Sequence, residues 1–189
     1  AVKDIRIEAP IPGRNAVGVE VPNEESTPVK IRELLNDVSP KEKNQPLLFF
    51  LGKDLLGRTV TCRLDKMPHL LIAGATGSGK STTLYAILDK IIEMGGRNVV
   101  TLEDPIEIVK EHCLQIEMNE SMGIDYYNSL KQILRHDPDV IMIGEIRDEK
   151  TAKLAITCAL TGHLVLSTIH ASNSLLVIKR MLNLGINET

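Results

Sequence analysis

Residues 69–88 read HLLIAGATGSGKSTTLYAIL. A short apolar run, His69 to Ala73, meets a glycine-rich turn, and an amphipathic pattern begins beyond it. Leu84, Ile87, Leu88, Ile91 and Ile92 fall at i, i+3, i+4, i+7 and i+8, one apolar face of a helix. The turn Gly74-Ala75-Thr76-Gly77-Ser78-Gly79-Lys80-Ser81 fits the spacing G-x-x-x-x-G-K-[ST] at every position, between a strand and a helix as that motif requires. Its glycines let backbone N–H groups wrap a polyphosphate. The helix N-terminus adds partial positive charge, Lys80 reaches the outer phosphates, and the Ser81 hydroxyl is placed to ligate Mg²⁺.

Downstream, apolar strands alternate with amphipathic helices. Gly95-Gly96 stops the first helix. Strands are expected over 97–102, 113–118, 140–143 and 163–168. Helices are expected around Leu130, Ile133 and Leu134, ending before Asp137-Pro138, around Ala152 to Leu160, and from an Asn173 cap to about Leu184. Such alternation makes a mostly parallel sheet covered on both faces.

A phosphate loop needs an acidic partner on a neighbouring strand. Val140-Ile141-Met142-Ile143-Gly144-Glu145 runs to a carboxylate at a strand's C-terminal end, where α/β sheets place ligands. Thr101-Leu102-Glu103-Asp104-Pro105 is a second acidic strand end. Carboxylates there can hold a metal's water shell or orient an attacking water. His163 and His170 bracket the last strand. With no Cys or acidic companion they do not suit zinc, and sensing of a terminal phosphate is the better functional reading. Arg135 and Arg147 flank the Val140 strand, placed to stabilise phosphate charge or to form a surface ion pair.

The stretch before the loop reads differently. Six prolines and Gly13 punctuate residues 10–46. Val17, Val19 and Val21 alternate as a short half-buried strand. Thr27-Pro28 offers a cap and a first-turn proline for a helix carrying Ile31, Leu34, Leu35 and Val38. Residues 39–46 read as a polar loop. Leu47 to Leu51 and Arg58 to Leu64 read as a hairpin.

The 189 residues suit one core with a small appendage. Hydrophobic residues are 43% and charged residues 25%, a globular balance rather than a disordered or collagenous one. The net charge of −3 does not suit a chain that holds nucleic acid by bulk positive charge. Five aromatic residues and no Trp are too few for a base-stacking platform. Cys62, Cys113 and Cys158 have no metal-binding spacing and read as buried thiols of a reducing compartment. No apolar run approaches the roughly 20 residues that span a bilayer, and no signal peptide opens the sequence.

From Gly77 onward the chain resembles the assembly ATPases of type II secretion and type IV pili. GSGKSTTLY (77–85), TLEDPIE (101–107), LRHDPDVIMIGEIRD (134–148) and ALTGHLVLSTIHASN (159–173) look like that family's Walker A end, aspartate box, Walker B motif and histidine box. The resemblance implies roles near metal and water for Glu103, Asp104 and Glu145, and nucleotide sensing for His163 and His170. Glycine at 144 is typical of that family. Upstream, IRIEAPIPGRNAVGVEVPN (5–23), LGKDLLGRTV (51–60) and DKMPHLLIAGATGSGKS (65–81) resemble the start of the motor domain of FtsK/SpoIIIE-type DNA translocases. The chain thus reads as a chimera, a translocase-like front joined at GSGKS to a secretion-ATPase back. The translocase Walker B strand and winged-helix domain do not occur, and the secretion family's N-terminal domain is replaced.

Together these readings predict an α/β protein. A RecA-like P-loop core with a mostly parallel sheet occupies 67–189, truncated at its C-terminus. A small β-rich extension of strand, short helix and hairpin occupies 1–66. ATP and Mg²⁺ are the expected ligands. Gly74, Ala75, Thr76, Gly77, Ser78, Gly79, Lys80, Ser81 and Thr82 hold nucleotide, together with Asp104, His163 and His170. Ser81, Glu103 and Glu145 attend the metal, and Glu145 with Glu103 carries the hydrolysis chemistry. The resemblance implies a cytoplasmic homohexamer, peripheral at the inner face of the bacterial membrane, partnered by inner-membrane pilus or secretion proteins. DNA is the less favoured partner.

Overall fold

The computed structural model describes residues 5–11, 15–23, 25, 27–172 and 174–186. The chain divides into two compact units, residues 1–39 with 50–60, and residues 40–49 with 61–189. In the first unit, β1 (Arg6–Glu8) and β2 (Gly18–Glu20) pair antiparallel, with Ile7 opposite Val19. Val17, Val19 and Val21 are 62%, 59% and 68% exposed, so the expected half-buried strand is an exposed one. A two-stranded ribbon has no second layer of its own to bury a face.

Helix α1 (Ile31–Asp37) starts after Lys30, which is extended, three residues later than the Thr27-Pro28 signal predicts. It begins where Leu34 and then Val38 become buried, so burial rather than capping sets its start. Residues 39–46, expected as a loop, contain one helical turn, α2 (Pro40–Lys43), with proline in its first position. The hairpin of β3 (Leu48–Lys53) and β4 (Thr59–Arg63) forms as expected. Asp54 organises its turn, accepting from Leu56 N and Arg58 N at 2.9 Å each.

The second unit holds the predicted α/β core. After β5 (Leu70–Ala73) come α3 (Lys80–Met94), β6 (Val99–Glu103), β7 (Leu114–Glu117) and α4 (Tyr126–Ile133). Then follow β8 (Val140–Ile143), α5 (Glu149–Leu160), β9 (Leu164–Ile169) and α6 (Ser174–Asn183). The five core strands pair parallel in the order β5-β9-β8-β6-β7. The Asn173 cap lies outside the described residues. Aspartates cap the two helices that sequence periodicity left open: Asp125 accepts from Asn128 N and Asp148 from Thr151 N.

β6 and β8 are buried along their whole length. That burial is why they read as continuous apolar runs rather than alternating ones. Alternate residues still feed opposite faces. Val99, Val140, Met142 and Leu166 pack with Leu84, Leu88 and Ile91 of α3. Val100, Leu102, Ile141 and Ile143 pack with Leu130 and Ile133 of α4 and Ala152, Ala155 and Cys158 of α5. Cys158 is buried, and burial pushes its thiol up from the ordinary value. Cys62 and Cys113 are half-buried, less enclosed than the sequence suggests. Among the described residues, no helix is long and apolar enough to cross a membrane.

Candidate functional site

Parallel pairing brings the C-terminal ends of all the core strands to one edge of the sheet. The loop after β5 is the predicted phosphate loop. Gly77 (φ 79°) and Gly79 (φ 85°) adopt left-handed conformations that favour glycine. Ser78 N donates to Ala75 O at 3.2 Å and closes the turn. Gly79 caps α3, and the first intrahelical bond runs from Thr83 N to Gly79 O at 2.9 Å. The N–H groups of Lys80, Ser81 and Thr82 therefore lack intrahelical acceptors and form an anion-binding end.

The next strand ends in space are β9, β8 and β6, carrying His170, Glu145 and Asp104 respectively. A cavity of about 420 Å³ lies among them and the loop, lined by residues including Lys80, Ser81, Glu103, Asp104, Glu145 and His170. Its charged groups form a continuous chain. Lys80 Nζ lies 3.2 Å from His170 Nε2, and that nitrogen lies 3.1 Å from Glu145 Oε1. Arg147 Nε donates to Glu145 Oε2 at 2.9 Å, and its Nη1 to Asp104 Oδ2 at 2.8 Å. His170 Nε2 cannot accept from Lys80 and donate to Glu145 at once. The imidazole is therefore a two-way contact between the loop lysine and the strand-end carboxylate.

The backbone that carries Glu145 is pinned. Gly144 N donates to Leu102 O at 2.8 Å, Ile146 N to Thr168 O at 3.0 Å, and Thr168 Oγ1 to Gly144 O at 2.6 Å. A Cβ on Gly144 would sit 3.3 Å from the Leu102 carbonyl oxygen, so glycine suits the close approach of β8 to β6.

Glu103 differs from Glu145. It is 3% exposed, and its carboxylate accepts from Thr101 Oγ1 at 2.5 Å, from Gln115 Nε2 at 2.9 Å and from the Tyr85 hydroxyl. Three of its roughly four acceptor positions are filled, so it can reach a metal's water more readily than a metal. The Tyr85 hydroxyl also accepts from Ile108 N at 3.3 Å. Burial and the Glu103 bond push its phenol up to about 12, so it stays a donor. Glu103→Gln turns one acceptor into an N–H₂ and orphans the Tyr85 hydroxyl. The expected cost is about 1–3 kcal/mol of folding stability, read by denaturant unfolding; an unchanged midpoint would contradict the three-donor account.

His163 is not brought to the cavity. It precedes β9, at the end of the strand opposite His170, and its Nδ1 lies 3.0 Å from both Thr161 Oγ1 and Cys158 O. With six strand residues between them, the two histidines lie about 23 Å apart along the strand, at roughly 3.3 Å per residue step. Arg135 lies in the turn before β8, also at the far edge. Tyr85 and Tyr126 line the cavity without having been singled out by the sequence. Tyr126 opens α4, 22 positions after Asp104 and 19 before Glu145, so no local motif marks it. Its burial and the Asp104 charge push its phenol up to about 12.

Among the described residues, no group of three or more His, Cys, Asp and Glu could hold a metal ion. The oxygen donors present still suit Mg²⁺. That ion takes one or two protein oxygens and completes its shell with phosphates and water. Ser81, Asp104 and Glu145 line the cavity with oxygens of that kind.

The family described as "Type II/IV secretion system protein" matches residues 58–189, and the "FtsK alpha domain" matches residues 1–23. Competence protein ComGA of Halalkalibacterium halodurans is 55% identical over 117 residues, covering 62% of this chain and 34% of that protein. Type II secretion system protein E of Aeromonas hydrophila is 46% identical over 138 residues, covering 72% and 27%. The solved structure of the pilus retraction motor PilT with bound ADP superposes with TM-score 0.57 at 39% identity, covering 61% and 34%. The chain spans about a third of the length of these relatives. Its α/β core is of their RecA-like kind.

Proposed function

Because the chain belongs to the type II/IV secretion system protein family, we propose that it binds ATP and hydrolyses it with Mg²⁺, as a motor module of secretion or competence-pilus assembly. One observation carries the reading. The phosphate loop, His170, Glu145 and Asp104 sit on neighbouring ends of parallel strands around a single cavity. The catalytic core is residues 67–189, within the unit that also takes in residues 40–49 and 61–66.

Lys80 and the loop amides hold the outer phosphates, Ser81 would ligate the metal, and Glu103 and Glu145 would attend it through its waters. Glu145 orients the attacking water and takes its proton. His170 follows Lys80: when phosphate draws the ammonium away, Nε2 is left to Glu145 alone. Mg²⁺, when bound, neutralises charge developing on the phosphates. The partners would be pilus or secretion proteins at the inner face of the cell membrane.

A second reading, DNA translocation, is favoured by the match of residues 1–23 to the FtsK alpha domain. An ATPase assay of the purified chain, with and without duplex DNA and with EDTA, separates the two, alongside its mass in solution. Turnover abolished by EDTA and unaffected by DNA across a salt series is expected. DNA-stimulated turnover would favour the translocase, and no nucleotide binding would remove both.

A further inference from the structure

Arg147 is the one cation of the cavity whose guanidinium joins two carboxylates. Its Nε and Nη1 are separate donors held on one rigid plane, and they take Glu145 Oε2 at 2.9 Å and Asp104 Oδ2 at 2.8 Å. Asp104 follows β6 and Glu145 follows β8, adjacent strands. The pinned backbone around Glu145 leaves its side-chain torsions free. One carboxylate oxygen is held by His170 and the other by Arg147. His170 is shared with Lys80, so its hold on Glu145 changes whenever the lysine moves. Arg147 makes the contact that does not depend on the phosphate loop.

We propose that Arg147 is a positioning residue: braced on Asp104, it fixes the Glu145 carboxylate toward the cavity. This rests on the ATPase reading above. The side chains of Arg147 and Asp104 are 53% and 43% exposed, so the pair adds little to folding stability. Its consequence is geometric, since a misplacement of about 1 Å at a reacting group can cost about 100-fold in rate. Lysine keeps the charge but offers a single point, and cannot bridge both carboxylates as the planar fork does. The carboxylates hold the guanidinium above its ordinary value, so it remains charged.

The test uses Arg147→Lys, Asp104→Ala and the double variant. Each single variant should lower kcat by about tenfold or more, with KM for ATP and half-saturating Mg²⁺ within about threefold of the parent. The double variant should be no slower than the slower single one, because both break one brace. The His170 ring signals in the NMR spectrum, assigned with His170→Asn, should move in both single variants, since Glu145 is held from the other side by that ring. Parental kcat with unmoved His170 signals would overturn the proposal. So would multiplicative losses in the double variant, or a raised KM with kcat unchanged, which would put Arg147 on the phosphate itself. A shifted Mg²⁺ requirement in Asp104→Ala would make Asp104 a metal ligand and overturn its part as the brace. If the parent binds nucleotide without turnover, the ATPase reading fails while the His170 signals still decide the brace.

Discussion

Lys80→Ala should weaken ATP binding by about 100-fold, near the upper range for one charge-assisted hydrogen bond to phosphate. Lys80 is the first residue of α3, between the glycine-lined turn and the His170 ring. Its ammonium is the only cation contributed by residues 74–82. The loop amides remain in the variant, so the anion-binding backbone survives while the point charge on the outer phosphates goes.

A thermal melt reads this without any turnover. With MgATP at about 100 times the parent's Kd, ligand binding adds about 2.7 kcal/mol to the parent. A variant bound 100-fold more weakly gains only about 0.4 kcal/mol at the same concentration. The unliganded melts should coincide, because Lys80 makes a single exposed side-chain contact, with His170. An undiminished MgATP shift would take the phosphates away from this loop. A lower unliganded melt would instead make Lys80 part of the scaffold.

How much of this site can be read from residue order depends on whether its geometry is local. Lys80, Ser81 and the glycines sit within one turn, and the spacing alone places them. The ends of β6 and β8 were legible because strands covered on both faces read as mostly apolar runs, and Glu103 and Glu145 close those runs, Glu103 while still buried. Their adjacency was not legible: strand order β5-β9-β8-β6 scrambles chain order, and Lys80 meets His170 across 90 residues. The same gap hid the Arg147–Asp104 bridge, 43 residues apart, and Tyr126. His163 shows the reverse error. It shares a motif with His170, but an extended strand between them carries it to the opposite edge of the sheet. In the front part, Thr27-Pro28 is a sound local cap signal overridden by the burial of Leu34 and Val38, and the Val17–Val21 alternation has no layer of its own ribbon to face.

Glu145→Gln should leave ATP binding within about threefold and cut kcat by about 10²–10⁴-fold, the usual scale for a lost general base. The amide is nearly isosteric. Its oxygen can still accept from Arg147 Nε, the contact held at 2.9 Å, so the side chain keeps its direction while losing its proton affinity. Glu103→Gln provides the contrast on the neighbouring strand. There the carboxylate is buried under three donors and the loss falls on folding stability; at half-buried Glu145 it falls on turnover. Single-turnover hydrolysis and nucleotide affinity, measured on both variants, separate the roles. A Glu145→Gln chain that hydrolyses at the parental rate would remove Glu145 from the chemistry and leave Glu103, through its one open acceptor position, as the carboxylate facing the water. A Glu145→Gln chain that binds ATP poorly would instead assign Glu145 to the metal, since losing a charged oxygen ligand weakens the Mg²⁺ that bridges the phosphates.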